Sequence, residues 1–143
     1  MRIAIGSDHG GFELKEKVKE HLVSLGHEVS DMGTDSLSSC DYPVYAKAVA
    51  YEVADKEADK GIVICTTGIG VSITANKIRG IRAALCTDPL MAKLTRLHND
   101  SNVLALGAGI TGVNLAMEIV DNFVNTEFSG QERHARRISQ IEG

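Results

Sequence analysis

The chain has 143 residues, 43% hydrophobic and 24% charged, enough for one domain with a continuous core, which excludes a disordered tail or a disulfide-stapled miniprotein. Its formal charge of -4, from 15 Lys and Arg against 19 Asp and Glu, excludes a general binder of nucleic acid or anionic membrane, so any anion site is local. No apolar run reaches the roughly 20 residues of a membrane span, and Met1 to Gly6 is too short for a signal-peptide core, so a cytoplasmic location is expected.

Short β-branched runs alternate with longer amphipathic ones, the pattern of strand–helix crossovers and hence of a parallel sheet covered on both faces. The first strand is predicted over Arg2 to Ser7. A helix follows over about Gly11 to Leu25, where Leu14, Val18, Leu22 and Leu25 recur at helical spacing, Glu13 and Lys17 form an outer i,i+4 pair, and Gly26 ends the run. A second strand spans His27 to Asp31, and a polar loop from Gly33 to Asp41 leads to Pro43, which opens a helix along Val44, Ala48, Tyr51 and Ala54 or Asp55. The third strand is Gly61 to Cys65, with a helix over about Gly68 to Ile78; the fourth is Arg82 to Cys86, with a helix from Pro89 to His98. The fifth strand, Val103 to Leu106, precedes helices over Gly112 to Asn125 and about Gln131 to Ile141.

All five strands are short and apolar, as buried parallel strands are. No repeat, low-complexity tract or linker divides the chain. Residues 1–143 therefore read as a single doubly wound α/β domain, a five-stranded parallel sheet in a Rossmann-like three-layer α/β/α arrangement. The last helix, about 131–141, is a tail that packs on this subunit or on a partner.

In such sheets ligands bind beyond the carboxyl ends of the strands, where backbone N–H groups converge. Strand one ends in Gly6-Ser7-Asp8-His9-Gly10-Gly11, strand three in Cys65-Thr66-Thr67-Gly68-Ile69-Gly70, and Leu97-His98-Asn99-Asp100 precedes strand five. A dinucleotide fingerprint is excluded, since Gly68-x-Gly70 is followed by Ile73 and follows the wrong strand. A cysteine phosphatase needs an Arg six residues after its Cys, where Val71 stands, and a phosphoacceptor domain needs an Asp where Cys65 stands.

Cys65 reads as a base or nucleophile favoured by nearby N–H dipoles, or as a buried last strand residue, the role also assigned to Cys86. Asp8-His9 reads as an acid–base pair or as a helix cap with a packed imidazole. His98 reads as an acid–base group or as a cation at a helix C-terminus. Arg133 and Arg137, at i,i+4, present two forks suited to phosphate, or form a solvated basic face near Glu132 and His134. His21 and His27 read as surface residues without a role. The three cysteines, Cys40, Cys65 and Cys86, form no C-x-x-C pair and are expected as reduced thiols, and no metal-ligand spacing occurs. With 4% aromatic residues and no Trp, stacking surface for bases or flat cofactors is scarce.

Taken in order, several segments resemble the B-type ribose-5-phosphate isomerase family, which includes allose-6-phosphate isomerase and the galactose-6-phosphate isomerase subunits. They are Ile5-Gly6-Ser7-Asp8-His9 with Gly11-Phe12, Asp41-Tyr42-Pro43, Gly61-Ile62-Val63-Ile64-Cys65 with Thr67-Gly68-x-Gly70, Ala75-Asn76-Lys77, Gly80-Ile81-Arg82-Ala83, His98-Asn99-Asp100, and Arg133-His134 with Arg137. The resemblance covers nearly the whole chain. One chain holds all the pieces that galactose-6-phosphate isomerase divides between two subunits, which favours a homomeric pentose or allose phosphate isomerase.

The resemblance implies aldose–ketose isomerisation through an enediolate, with Cys65 as base and His98 opening the furanose ring. Asp8 and Thr67 would orient sugar hydroxyls, and the N–H groups of Thr66, Thr67, Gly68, Ile69 and Gly70 would hold the enediolate oxygen. His9, Arg133 and Arg137 match the phosphate end, and Asn99 matches a sugar contact. No metal or organic cofactor is implied. The implied assembly is a homodimer with sites at the subunit interface, His98 and the terminal arginines coming from the partner, with a tetramer as the larger alternative. Where many members carry an Arg, this chain has Gly109, and empty volume beside the phosphate is expected there, admitting hexoses or free sugars. Hexose or hexose-phosphate isomerisation, and a non-catalytic sugar-phosphate binding module with an inert Cys65, are the competing readings.

Overall fold

Along the three central strands, large and small side chains alternate with period two, and this alternation sets the layers. Ile3, Ile5, Ile62, Ile64, Leu104 and Leu106 enter one buried cluster, while Ala4, Val63, Cys65, Val103 and Ala105 enter the other. The computed structural model describes residues 1–143. Its elements are β1 (Arg2–Ser7), a 3-10 turn (His9–Gly11), α1 (Phe12–Ser24), β2 (Glu28–Asp31), α2 (Tyr42–Ala54), β3 (Lys60–Cys65), α3 (Ile69–Asn76), β4 (Ala83–Leu85), α4 (Pro89–Asn99), β5 (Val103–Gly107), α5 (Val113–Asn125) and α6 (Glu132–Glu142).

The sheet is wholly parallel, in the order β2-β1-β3-β5-β4. Buried residues of α1, α4 and α5 pack on the Ile/Leu face, and those of α2 and α3 on the small-residue face. The doubly wound three-layer reading therefore holds, with element ends displaced by no more than two residues.

The expectation that every strand is buried fails at both edges. β2 is mostly exposed and β4 half-buried, because each has a neighbour on one side only. The fourth strand is also shorter than the predicted Arg82 to Cys86. Asn76 brackets its first residue, donating from Nδ2 to the Ala83 carbonyl at 3.0 Å and accepting from the Ala83 N–H at 2.8 Å. Such a bracket occupies edge groups that would otherwise pair with a foreign strand.

The charges of α1 also act differently from the predicted Glu13–Lys17 pair. Both of those residues are exposed, and the ion pairs of the helix come from Lys15, Glu16 and Lys19. The Lys15 side chain is 0% exposed and donates to Asp31 at 2.7 Å and Glu16 at 2.8 Å, while Lys19 reaches Asp31 at 2.8 Å. Asp31 Oδ1 then accepts from the Gly33 N–H at 2.9 Å, and Gly33 and Thr34 bond to both backbone groups of Ser7 at 2.7 Å. A buried lysine on α1 thus ties β2 to the carboxyl end of β1. His21 is no idle surface group, since its Nε2 lies 2.6 Å from Asp121 and joins α1 to α5, and His27 meets the N-terminal amine at 3.1 Å.

Burial would raise Asp31, but the Lys15 and Lys19 ammoniums and the Gly33 N–H hold it below its ordinary value. A depressed carboxyl stabilises the fold above its unfolded pKa of about 3.9, and that stabilisation fades as pH falls toward the folded value. Lys15→Met is expected to cost about 2 kcal/mol at pH 7, below the range for a fully buried pair because Asp31 is partly solvated and keeps Lys19. Urea titrations at pH 7 and pH 3 check this: the difference between wild type and variant should shrink at the lower pH, and an undiminished difference would show that Lys15 acts through packing alone.

Candidate active site

The register pairs Ser7 with Ile64 and Cys65 with Gly107, so the turn after β1 and the end of β3 lie side by side. The Asp8 N–H donates to the Ile64 carbonyl at 3.3 Å, which fixes the two loops together. The chain leaves β1 toward one edge and β3 toward the other, the arrangement in which doubly wound sheets open a ligand crevice. A cleft of about 430 Å³ opens there, lined by Asp8, Tyr42, Cys65, Thr66, Thr67, Ile69, Gly70 and Ile73. A larger hollow of about 550 Å³ lies among α3, β4 and α4, yet it holds neither a thiol nor a histidine. The smaller cleft is therefore the chemical candidate.

Cys65 is the last residue of β3, buried on the small-residue face beside the start of α3. Its Sγ accepts from the Gly68 N–H at 3.2 Å. Thr67 Oγ1 accepts from the Ile69 N–H at 3.2 Å, which leaves the Thr67 hydroxyl proton available to a ligand. Of the five N–H groups expected to cradle an anion, those of Gly68 and Ile69 are engaged within the loop. The N–H groups of Thr66, Thr67 and Gly70 make no bond within the chain and are the ones free for a ligand.

Asp8 is a cap, and it also faces the cleft. Its Oδ1 caps the 3-10 turn by accepting from the Gly11 N–H at 3.2 Å, and its buried carboxylate lines the cleft. His9 is half-buried, with Nδ1 accepting from the Cys40 N–H at 3.2 Å, so its proton resides on Nε2 when the ring is neutral. Cys86 lies in the core, and burial, then the Asp88 charge, pushes its thiol up to about 12. No set of three His, Cys, Asp or Glu side chains converges to ligate a metal.

Within one chain, His98, Asn99, Arg133 and Arg137 do not line this cleft. His98 lies near the C-terminus of α4 over a separate depression that Asn99 shares, and its ring stacks on His134 at 4.4 Å between centroids. Asn99 accepts from Thr95 Oγ1 at 3.1 Å, and its carbonyl accepts from Arg82. Arg133 and Arg137 are exposed on α6. The nearby groups do not neutralise them, since Glu132 pairs with Arg136 at 3.0 Å and His134 is the one buried residue of the helix. Burial, then the charges of His98, Arg133 and Arg137, holds His134 below its ordinary value.

Two features escaped the sequence reading. Tyr42 opens α2 and lays its ring over Gly70, where any Cβ would collide with it, so the tyrosine walls the cleft. The pair of Pro43 at a helix start with a ring beside it was the only local signal, and the contact partner lies 28 residues on. At Gly109 the first carbon of any side chain is crowded. A Cβ there would meet Thr66 Cγ2 at 2.9 Å and the Thr66 carbonyl at 3.1 Å, and the residue itself is exposed, so a side chain at this position would have to displace Thr66 at its first carbon.

Comparison with known proteins places this geometry. A family model described as Ribose/Galactose Isomerase matches residues 3–141. The chain is 50% identical to ribose-5-phosphate isomerase B of Escherichia coli (strain K12), over 98% of this chain and 93% of that protein. It is 40% identical to the galactose-6-phosphate isomerase subunit LacB of Clostridium acetobutylicum, over 99% of this chain and 82% of the other. Among solved structures, ribose-5-phosphate isomerase B of Clostridium thermocellum superposes with a TM-score of 0.98 at 51% identity, covering 99% of this chain and 95% of that one. With its cleft thiol at the end of β3 and a match running almost end to end, the chain belongs to the ribose/galactose isomerase family.

Proposed function

We propose that the protein is an aldose–ketose isomerase interconverting ribose 5-phosphate and ribulose 5-phosphate through an enediolate. The observation that carries this reading is the Cys65 sulfur, held at 3.2 Å by the Gly68 N–H in a cleft that also offers the Asp8 carboxylate and the free N–H groups of Thr66, Thr67 and Gly70. Half-identity to ribose-5-phosphate isomerase B of Escherichia coli supports the substrate.

In this reading ring opening comes first: the C1–O4 bond breaks while His98 relays the anomeric hydroxyl proton to O4. The Cys65 thiolate then removes the C2 proton, and the charge that develops on O1 falls to the free loop N–H groups, fixed dipoles that need no reorganisation. The thiol returns its proton to C1 as a proton passes from the C2 hydroxyl to O1, so no net charge or proton is lost. The Thr67 hydroxyl and Asp8 bond the sugar hydroxyls. His9 and the forked Arg133 and Arg137 bind the phosphate, and Asn99 contacts the sugar.

One chain holds these groups in two separate places, which supports a homodimer whose sites join Cys65 of one subunit to His98, Asn99, Arg133 and Arg137 of the other. Leu90, Met91 and Leu94 are exposed on α4, and Leu90 and Leu94 share a helical face with His98 at spacings of four. An apolar face beside a functional histidine fits a partner surface. α6, with His134 alone buried, fits a helix that packs on the partner. No helix is long and apolar enough to cross a membrane, and three free thiols support a reducing cytoplasm as the location.

Cys65→Ala is expected to lower kcat by at least about 10²-fold while ribose 5-phosphate still binds, as loss of a positioned base does. Steady-state kinetics alongside calorimetric binding checks this, and activity retained within a few-fold would assign the base elsewhere. Iodoacetamide in a Cys40→Ser background should inactivate the enzyme with sugar phosphate protecting it, because the Cys86 thiol at about 12 stays protonated and buried. Inactivation by labelling at Cys86 would contradict the assignment. Co-refolding inactive Cys65→Ala with inactive His98→Gln should restore roughly a quarter of wild-type activity, since half of the dimers are mixed and each holds one intact site. An inactive mixture would place both groups in the same chain's site.

A further inference from the structure

The amino ends of the strands form a face that the proposed reaction does not use. A hollow of about 280 Å³ opens there. Its walls carry the cations Arg2, Lys56, Lys60, Arg82 and Arg96 against the carboxylates Asp59 and Asp100, in a chain whose net charge is -4. Both acids are already paired. Asp59 accepts from the Arg2 N–H at 2.7 Å and its guanidinium at 3.3 Å, and Asp100 accepts from Arg96 at 2.7 Å.

That leaves donors without acceptors. Arg96 is buried and gives Nε to the Thr126 carbonyl at 2.9 Å and Nη1 to Asp100 and the Ser101 carbonyl, with Nη2 unengaged. Lys60, the first residue of β3, is half-buried and outside every ion pair of the face. Burial, and next the Arg96 guanidinium, holds Lys60 below the usual lysine range against the opposing pull of Asp100, Asp59 and Glu127. Ser7 Oγ is the one buried side-chain polar atom without a partner, so Lys60 Nζ and Arg96 Nη2 both reach solvent, and two adjacent cations with free donors attract an anion that enters the hollow.

We propose that this hollow is a second anion site, taking a small phosphate-class dianion between Lys60 Nζ and Arg96 Nη2 with Lys56 at its mouth. The site is separate from the cleft: Lys60 and Cys65 stand at opposite ends of β3, about 16 Å apart at the rise of an extended strand. The shared chemistry is the phosphoryl group, whether of inorganic phosphate or of a sugar phosphate.

The test follows backbone amides by two-dimensional NMR while the intact protein is titrated with inorganic phosphate, against sodium chloride of equal ionic strength. Saturable shifts are expected at Gly61, Arg96 and Asn102, independent of any shifts at Thr66 to Gly70. Lys60→Met, which keeps the apolar stem, should weaken the shifts at Gly61 and Asn102 by about tenfold or more, the loss of one charge-assisted bond. Lys56→Gln, at an exposed position, should weaken them less. Ribose 5-phosphate moving the same amides extends the site to phosphate esters, whereas a response to inorganic phosphate alone confines it to the free ion. The proposal is overturned if these amides respond to phosphate no more than to chloride, or if Lys60→Met titrates as wild type.

Discussion

The site rests on the hydrogen bond from the Gly68 N–H to the Cys65 sulfur, and that bond exists because residue 68 has no side chain. Gly68 adopts φ +79°, and a Cβ would lie 2.6 Å from Leu85 Cδ1 and 2.8 Å from the Leu106 backbone. Only glycine both enters the left-handed region without strain and lets the loop press against β5. The turn then starts α3 directly beyond the thiol, giving the sulfur a fixed donor and leaving neighbouring N–H groups without a partner in the chain. The rest of the fold delivers this turn to the right place. The small-residue face of the sheet makes room for α2 and α3, and the Tyr42 ring closes over Gly70.

The proposed phosphate-binding end is built on a different principle. Arg133 and Arg137 stand on a helix with little buried surface of its own, and His98 stacks on His134 of that same helix. The stack couples the proposed ring-opening group to the two arginines, so α4 and α6 form one unit that a second subunit can present to the Cys65 cleft. In the proposed dimer the site is divided in this way, and activity would depend on assembly.

Much of this was legible in the sequence because strands, helices and strand-end motifs are local. Short apolar runs and helical periodicity located every strand and α-helix though not the 3-10 turn at His9–Gly11, and Cys65, Gly68 and Gly70 marked the turn that lines the cleft. What escaped depends on side chains meeting across long sequence separations. Nothing local marks Lys15, because Asp31 lies 16 residues on and only the fold buries the pair. Gly109 looked like a vacancy because the family resemblance supplied an absent arginine, while the crowding of its first side-chain position by Thr66, 43 residues earlier, is visible only in the fold. Edge strands β2 and β4 read as buried because composition does not reveal sheet order.

The central claim is that the Cys65 thiol carries the proton between C1 and C2. Its most direct measurement is deuterium incorporation at C1 of ribulose 5-phosphate in D2O, followed by proton NMR with enzyme and sugar at binding saturation. Wild type should wash deuterium into C1, and Cys65→Ala, still saturated with sugar, should leave the C1 protons untouched on the same timescale. Exchange at the wild-type rate in the thiol-free variant would contradict the account and transfer the proton to another group.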